Sequence, residues 1–220
     1  MPDPHLTDPS HEASPKEAIE GTAEAVVEIV EGVAAGPTPE WSRHLTARLE
    51  GFDEAIDARF DRIRGIPAVD RAFYSVTELA DFSLLWHLLG ATRGLRSDAH
   101  AVEAVRLSVV LGVESTLVNG GLKSLFKRSR PVPEFERPHH LRIPLTTSFP
   151  SGHASAALCA ATILSDGRGR WSKVGWYGLA TVVAASRVHV KIHHASDVIG
   201  GAVVGLAVGR IARRVWHRRA

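Results

Sequence analysis

The chain has 220 residues and a formal net charge of +2, and its length suits one domain with an appended segment. A charge so close to balance, with the basic residues in short clusters, does not favour a nucleic-acid partner. Cys159 is the single cysteine and no HExxH-type pairing occurs among the 12 histidines, which excludes an internal disulfide and a cysteine zinc cluster and gives no signal for a metal site.

The N-terminal third predicts a leader and two amphipathic helices. Residues 1–18 are rich in Pro, Asp, His and Ser and are expected to be disordered, and they lack the regions of a cleavable signal peptide. Within residues 19–66, apolar and acidic residues take separate faces over 19–33, and apolar residues recur at steps of three and four over 41–63. The second helix either packs on the protein's own core or lies in the membrane interface, anchored by Trp41.

Residues 70–216 predict an all-α helical bundle. Five apolar stretches occur there, at 82–89, 107–122, 154–164, 174–190 and 198–212. They are shorter than about 20 residues or carry polar side chains, but Gly201, Gly205 and Gly209 have the spacing that lets membrane helices approach closely. We therefore expect a polytopic membrane protein with about five spans, the first and weakest at 72–90, in addition to the N-terminal amphipathic helices.

The charges of the connections predict the orientation of these spans. Three connections are basic, and alternating spans would place all three on one side of the membrane. The first contains Arg93, Arg96 and Arg106, the second Arg168, Arg170 and Lys173, and the third Arg213, Arg214, Arg218 and Arg219. The positive-inside rule makes this side, with the C-terminus, cytoplasmic. The connection 123–150 is also basic and would lie on the opposite side, so its cations need a chemical explanation.

The first candidate site segment contains Lys123 and Arg130. These residues are seven apart and share a face if the segment is helical. The planar fork of arginine and the point charge of lysine together suit a phosphoryl group. The alternative is a solvated basic helix end, or a contact with lipid headgroups.

The second candidate segment is the turn before the small-residue run 154–161. Free backbone N–H groups at a helix start favour an anion, Gly152 allows close approach, and Ser151 can cap the helix or donate a hydrogen bond. His153 is placed to act as a general acid. The alternative is an ordinary capped helix start with an incidental histidine.

The third candidate segment runs from Ser186 to Asp197. His193 and Asp197 are four residues apart, so in a helix the carboxylate could bind Nδ1–H and leave Nε2 as the attacking atom. These charges could instead extend to the membrane interface. His194 could compete as the partner of Asp197, and His189 is interpreted as structural or substrate-facing.

Together the three segments resemble the type 2 phosphatidic acid phosphatase superfamily, which includes bacterial class A acid phosphatases and vanadium haloperoxidases. The matching positions are Lys123, Arg130, Pro131, Pro150, Ser151, Gly152, His153, Ser186, Arg187, His193 and Asp197. The resemblance covers about residues 75–210. Similar members often have six spans, and Lys191 stands where a small residue, often glycine, is usual; this difference is expected to alter headgroup preference.

The resemblance implies a phosphatase that needs neither metal nor cofactor. His193 would attack phosphorus, Asp197 would orient it, and His153 would protonate the leaving oxygen. The phosphate-binding residues would be Lys123, Arg130, Arg187, Ser151 and Gly152. These fixed cations and backbone donors can stabilise the developing charge.

We therefore expect a cell-membrane enzyme whose site faces away from the cytoplasm and acts on lipid-linked phosphates. Candidate substrates are polyprenyl diphosphate, phosphatidic acid, phosphatidylglycerophosphate and polyprenyl-phosphoryl sugar phosphate. The alternatives are a vanadate-dependent haloperoxidase on the same scaffold, a non-enzymatic membrane protein that binds anionic lipids, and a soluble acid phosphatase.

Overall fold

The computed structural model describes residues 40–133 and 135–217. Within these ranges the regular secondary structure is helical and contains no strand, which confirms the all-α class. The predicted leader and the first amphipathic helix lie outside the described residues. The chain divides after Arg48, and the residues from Leu49 onward form one compact unit.

Seven α-helices occur in the described part of the chain. They are α1 Glu40–Asp61, α2 Pro67–Leu79, α3 Leu84–Gly94, α4 Asp98–Ser115, α5 Gly152–Leu164, α6 Arg170–His189 and α7 Ala195–His217. A π-helical turn, Thr116–Gly121, and a 3₁₀ turn, Leu122–Leu125, extend α4. The described residues between 126 and 151 contain no helix, and they form the long connection to α5.

Helix α1 is the second predicted amphipathic helix. Beyond Leu49, its buried contacts include a carboxylate as well as an aromatic ring: Asp53 is buried, and the Phe60 ring packs edge-on against Phe73. Leu49 and Phe52 are instead exposed. This part of α1 therefore contacts its own compact unit through both polar side chains and the Phe60 ring, and it leaves two apolar side chains uncovered.

The helix over the predicted first span, 72–90, is interrupted in the structure. Helix α2 ends at Leu79, and a 3₁₀ turn, Asp81–Ser83, precedes α3. Phe82 and Ser83 have φ angles of 53° and 61°, which an α-helix does not contain. The break redirects the chain and presents Asp81 to the N-terminal turn of α5.

Helix α5 is the centre of the bundle and packs against α4, α6 and α7. Its small side chains permit this, since Ala154, Ala157, Ala160 and Ala161 have no exposed surface. Larger residues of the neighbouring helices complete the core, among them Trp86, Leu107, Leu111 and Val183. The other four predicted apolar stretches, at 107–122, 154–164, 174–190 and 198–212, correspond to α4 with its π-helical turn, α5, α6 and α7.

The close helix approach predicted from the glycine spacing is present between α5 and α7. A Cβ atom on Gly201 or Gly205 would collide with the backbone carbonyl of Ser151 or Ser155. On Gly209 it would lie 2.8 Å from Cβ of Thr162. Only glycine permits this separation of the helix axes.

By length and composition, α7 is the one described helix that is long and apolar enough to cross a membrane, and α5 is a shorter apolar helix. The other predicted spans correspond to helices that do not meet this criterion. The number of spans therefore stays a prediction.

The described residues of the three predicted basic connections lie at one end of the bundle. Arg93 and Arg168 both contact Glu103, at 3.4 and 3.1 Å, and Arg213 pairs with Asp166. The extension of α4, the start of α5, the end of α6 and the start of α7 lie at the other end. This separation agrees with the predicted grouping of the basic connections, and it places the three candidate site segments together.

Candidate active site

Backbone hydrogen bonds bring the three candidate segments together. The amide of Ser151 donates to the carbonyl of Asp197 at 3.0 Å, and Nη1 of Arg130 donates to the carbonyl of Ile192 at 3.0 Å. A cavity of about 260 Å³ lies between the segments. Its lining includes Lys123, Asn119, Thr146, Gly152, His153 and His193.

The first segment reaches the site without the predicted helix. Lys123 lies in the 3₁₀ turn Leu122–Leu125, whereas Arg130 lies in the irregular connection, so helical spacing does not align them. They converge on Thr146 instead: Nζ of Lys123 donates to its Oγ1 at 3.1 Å, and Nη2 of Arg130 donates to its carbonyl at 3.0 Å. The predicted convergence of two cations is present, but the long connection creates it.

The second segment is a capped helix start, as predicted. Ser151 precedes the first residue of α5, and its Oγ accepts from the amide of Ala154 at 3.5 Å. Gly152 is the first helical residue, so its free amide lies among the helix's unpaired N–H donors. His153 follows, and its Nε2 lies 2.9 Å from Oδ1 of Asp81. The arrangement offers backbone donors and an imidazole on the same cavity.

The nucleophile candidate in the third segment lies in a loop. His193 is in the short connection between α6 and α7, and Asp197 is in the first turn of α7. Nδ1 of His193 is 3.7 Å from Oδ2 of Asp197, which is too long for a direct hydrogen bond. Oγ of Ser148 lies between them, 2.5 Å from Oδ2 and 3.5 Å from Nδ1. The predicted pair is therefore present, with a serine linking its two members.

The contacts of His193 define its tautomer. Nε2 lies 3.2 Å from Nη1 of Arg130, and because arginine can only donate, Nε2 must accept. The proton then resides on Nδ1, facing Ser148. Burial, with the nearby cations Arg187 and Arg130, lowers the pKa of His193 to about 3, against the opposing effect of Asp197. The imidazole is consequently neutral, and its Nε2 lone pair points to Arg130.

Asp197 is held by further donors. Nη1 of Arg128 donates to its Oδ1 at 2.6 Å, and the amide of His194 donates to Oδ2 at 2.9 Å. The backbone of His194, and not its ring, is thus the part that contacts Asp197. His189 is paired elsewhere, with Nε2 2.8 Å from Oδ1 of Asp70, and its ring stacks on Phe73.

Arg187 has a buried guanidinium with spare hydrogen-bonding capacity. Its Nη1 donates to Oγ1 of Thr77 at 2.5 Å. Its Nε and Nη2 have no hydrogen-bond partner among residues 40–133 and 135–217. The carbonyl of the same residue accepts from the amides of Ile192 and His193 at 3.2 and 3.1 Å. The backbone of Arg187 therefore holds the loop that carries His193, and its side chain keeps two buried donors that an anion could use.

Lys191, the residue that departs from the family pattern, lies away from this cavity. It has a φ of 49°, the left-handed conformation that glycine adopts most readily. Its Nζ lies 2.7 Å from Oδ2 of Asp57 in α1. It lines a different cavity, of about 240 Å³, on the α1 side of the loop.

Sequence reasoning missed several side chains that hold the site. Asp81, Ser148, Arg128 and Thr77 belong to no motif with a recognisable spacing, so their roles depend on tertiary contacts. Glu114 stands in the sequence only as a polar residue within the apolar stretch 107–122, but in the structure it is buried and lines the cavity. In the described part of the chain, no three His, Cys, Asp or Glu side chains come together as a metal site.

The sequence of this site has relatives among known proteins. Residues 103–220, more than half of the chain, match the family model of the PAP2 superfamily. The chain belongs to the PAP2 superfamily. This membership confirms the resemblance identified from the three segments.

Two PAP2-like relatives are similar over part of the chain. A lipid A 1-phosphatase of Porphyromonas gingivalis is 39% identical over 67 residues, which cover 29% of this chain and 15% of that protein. The provisionally named undecaprenyl-diphosphatase YbjG of Escherichia coli K12 is 29% identical over 113 residues, which cover 51% and 57%. The chain thus matches less than two thirds of the length of either relative.

Two crystal structures share the fold over most of their length. A transmembrane PAP2-type phosphatidylglycerolphosphate phosphatase from Bacillus subtilis superposes with a TM-score of 0.62 at 26% identity, covering 78% of this chain and 87% of that one. LpxE of Aquifex aeolicus gives a TM-score of 0.59 at 25% identity, covering 73% and 93%.

Proposed function

We propose that this PAP2 protein is a metal-independent phosphatase of lipid-linked phosphates or diphosphates, with His193 as the nucleophile. The observation that carries the proposal is the state of His193. Its Nε2 lies 3.2 Å from Nη1 of Arg130, which can only donate and so makes Nε2 the acceptor, beside a cavity that Lys123 and the start of α5 also line. A neutral imidazole facing fixed cations is suited to attack a bound phosphoryl group.

In the first step, Nε2 of His193 forms a bond to phosphorus while the bond from phosphorus to the leaving oxygen breaks. His153 donates a proton to that oxygen, so the lipid alcohol, or the shortened lipid phosphate, leaves neutralised by one proton. Asp197 acts through Ser148 to stabilise the positive charge that develops on the His193 ring. Asp81 holds His153 in place for the transfer.

In the second step, water attacks phosphorus and the bond between phosphorus and Nε2 breaks. His153, having lost its proton in the first step, accepts one from this water. The products are inorganic phosphate and the starting enzyme. The same histidine therefore serves as acid and then as base, and both steps balance without another reactant.

Three cations and one helix start would stabilise the equatorial phosphate oxygens. Arg130 would exchange its contact with His193 for one with phosphate, and Lys123 would turn from Thr146. The spare Nε and Nη2 donors of Arg187 support its assignment to the same anion. Gly152 and Ser151 would add donors from the start of α5. Electrostatic stabilisation of this kind does not require a metal.

Exposed apolar side chains support a membrane location. They follow α4 and α7 at helical spacing: Val102, Val105, Val109, Val113, Leu117, Ile199, Val203, Ile211 and Val215. Such stripes are suited to lipid contact. At the edge of the cavity, the Phe82 side chain is 76% exposed and Arg142 stacks over its ring at 4.5 Å. An apolar ring beside a cation suits a lipid whose phosphate enters the site.

For orientation, we propose that the end with Arg93, Arg168 and Arg213 is cytoplasmic, with the C-terminus, and that the site faces away from the cytoplasm. The positive-inside rule supports this arrangement. In a Cys159→Ser background, a membrane-impermeant maleimide added to intact cells should label Glu136→Cys and not Ala220→Cys. The reverse pattern would invert the orientation.

The function is tested by phosphate release from detergent-purified full chain in EDTA. The panel contains a polyprenyl diphosphate, phosphatidic acid, phosphatidylglycerophosphate and a lipid A phosphate, chosen partly from the names of the relatives. We expect release that survives EDTA, disappears in His193→Ala and persists in His140→Ala, a change at an exposed histidine. Rapid acid-free quenching with a ³²P-labelled substrate should trap label on wild-type protein and not on His193→Ala.

Other outcomes would identify the alternatives. Equal release by His193→Ala would contradict the phosphohistidine mechanism. Halide oxidation with added vanadate and peroxide, at a rate above any phosphate release, would indicate a haloperoxidase. Vesicle binding without turnover would favour a non-enzymatic lipid-binding role.

A further inference from the structure

We propose that Asp53 of α1 is a positioning residue for the nucleophile, acting through Arg128 on the Asp197–Ser148–His193 chain. Asp53 lies outside residues 103–220, the part that matches the PAP2 family, and in no motif of the site. The inference rests on the proposed function for its activity measurement. It gives the N-terminal helix a role in catalysis that its sequence pattern does not indicate.

One guanidinium joins Asp53 to the site. Nη2 of Arg128 donates to Oδ2 of Asp53 at 2.6 Å, and Nη1 of the same residue donates to Oδ1 of Asp197 at 2.6 Å. Both carboxylates are buried, at 5% and 0% exposed, whereas Arg128 is partly exposed. Because its planar fork binds both carboxylates at once, Asp53 helps to hold the Arg128 guanidinium in the orientation that contacts Asp197.

Asp53 also binds the start of α7 directly. Its Oδ1 accepts from the backbone amide of Ser196 at 2.7 Å, and its Oδ2 accepts from the hydroxyl of Ser196 at 2.7 Å. Nη1 of Arg128 contacts the same hydroxyl at 2.7 Å. A carboxylate at a helix N-terminus satisfies a free amide and interacts favourably with the helix dipole. The turn that carries Asp197 is thus held from α1.

The loop needs these bonds because it is not packed solidly on this side. A cavity of about 240 Å³ separates part of α1 from the nucleophile loop, and its lining includes Asp53, Arg128, Lys191 and His193. Across this opening, α1 contacts the loop and the start of α7 through the bonds of Asp53 with Arg128 and Ser196 and through the Asp57–Lys191 pair, whereas Asp197 itself is fully buried.

The prediction is a loss of turnover without a loss of substrate binding. Asp53→Asn keeps the shape of the side chain but weakens both the Arg128 contact and the helix cap. We expect kcat to fall about ten- to hundredfold, the size typical of a misplaced catalytic group, and KM to stay within about twofold. The matched control is Glu54→Gln, the adjacent exposed residue of α1, which should leave both constants and the melting temperature unchanged.

A double-mutant cycle identifies the route. Arg128→Gln should also lower kcat, and the double variant should lose less than the product of the two single losses, because both changes break the contact of Arg128 with Asp53. Effects that multiply independently would overturn the proposed route. The proposal itself would be overturned if Asp53→Asn had the same kcat as Glu54→Gln. It would also be overturned if the fall in kcat were explained entirely by the fraction of Asp53→Asn that is unfolded.

A second readout does not depend on turnover. In ¹⁵N-histidine-labelled protein, the His193 ring nitrogens, assigned by their absence in His193→Ala, should report a single tautomer protonated at Nδ1. In Asp53→Asn we expect averaging between the two tautomers, and in Glu54→Gln the wild-type signals. Unchanged signals in Asp53→Asn would count against the proposal. Absence of phosphate release by the wild type would refute the proposed function alone, since this spectrum would still test the positioning.

Discussion

The carboxylate of Asp81 lies 2.9 Å from Nε2 of His153, and it comes from a turn that interrupts the first predicted span. Asp81 lies between α2 and α3, and His153 lies in the first turn of α5. Both line the cavity that contains His193. Burial, with the nearby Arg187, lowers the pKa of His153 to about 4, and the charge of Asp81 opposes this shift by favouring the protonated form that proton transfer to a leaving oxygen requires.

Asp81→Asn should therefore lower kcat about ten- to hundredfold with little change in KM, because general acid catalysis typically contributes about 10²–10⁴-fold and the asparagine retains part of the orientation. The measurement is steady-state phosphate release from the best lipid of the panel. Glu78→Gln, an exposed carboxylate at the end of α2, is the control and should match the wild type. An Asp81→Asn enzyme with wild-type kcat would remove Asp81 from the mechanism.

The contact of Asp81 with His153 illustrates which parts of the site a sequence can predict. Helices α4 to α7 follow from long apolar stretches, since their periodicity and length depend on local sequence alone. The start of α5 follows from the turn before a small-residue run. Asp81 has no such signal, because the φ angles of 53° and 61° at Phe82 and Ser83 are set by the tertiary fold.

For the first site segment, the predicted convergence of two cations is present, but the helix that was expected to align them is not. Lys123 and Arg130 converge as predicted, but through Thr146 in a long irregular connection and not on a helix face. Ser148, in the same connection, links His193 to Asp197. Contacts made by such a connection depend on long-range packing, which spacing rules do not describe.

The second prediction concerns the pH dependence of anion binding. Burial, with the adjacent cations Arg130 and Arg187, lowers the pKa of Lys123 to about 8. Below that pH the lysine is protonated and can bind an anion, whereas above it the charge is lost. The affinity for sulfate, whose own charge is constant over this range, should therefore fall as the pH rises past about 8.

Lys123→Arg provides the test of that assignment, because arginine stays protonated throughout this range. The variant should lose the pH dependence of sulfate binding near pH 8, whatever its absolute affinity. Isothermal titration calorimetry in detergent at a series of pH values measures both proteins. A decline that persists in Lys123→Arg would assign the titration to another group.

The third prediction uses the close packing of α5 on α7. A Cβ on Gly205 would collide with the carbonyl of Ser155, so Gly205→Ala must separate two helices that carry His153 and Asp197. We expect a destabilisation of about 1–3 kcal/mol, typical of an overpacked core, together with a loss of phosphatase activity. Thermal unfolding and phosphate release measure the two effects.

Gly178→Ala is the matched control for that change. Gly178 lies in α6 with no atom within 4 Å of its would-be Cβ, so alanine should stabilise the helix by about 0.5–1 kcal/mol through its better helix propensity. If Gly205→Ala lowers the free energy of unfolding and Gly178→Ala raises it, the glycines of α7 are required for its close packing on α5. If both substitutions change the free energy of unfolding equally, α7 can move away from α5 without a loss of stability.

The fourth prediction separates backbone strain from ion pairing at Lys191. This residue adopts a φ of 49° and pairs with Asp57 across 2.7 Å. Lys191→Ala removes the ion pair and keeps a Cβ in the left-handed conformation, whereas Lys191→Gly removes both. The left-handed conformation costs a residue with a Cβ about 1–2 kcal/mol more than it costs glycine. Glycine in turn loses about 0.5–1 kcal/mol of stability through its more flexible unfolded state. The first effect is the larger, so Lys191→Gly should be more stable than Lys191→Ala.

Thermal unfolding of the purified variants gives the order directly. The ion pair is partly exposed, with side-chain exposures of 11% and 32%, and is expected to contribute less than about 1 kcal/mol. Lys191→Ala should therefore melt below the wild type, and Lys191→Gly should melt above Lys191→Ala. If alanine were the more stable replacement, the left-handed backbone at this position would not be a constraint, and the lysine would be retained for its contact with Asp57 alone.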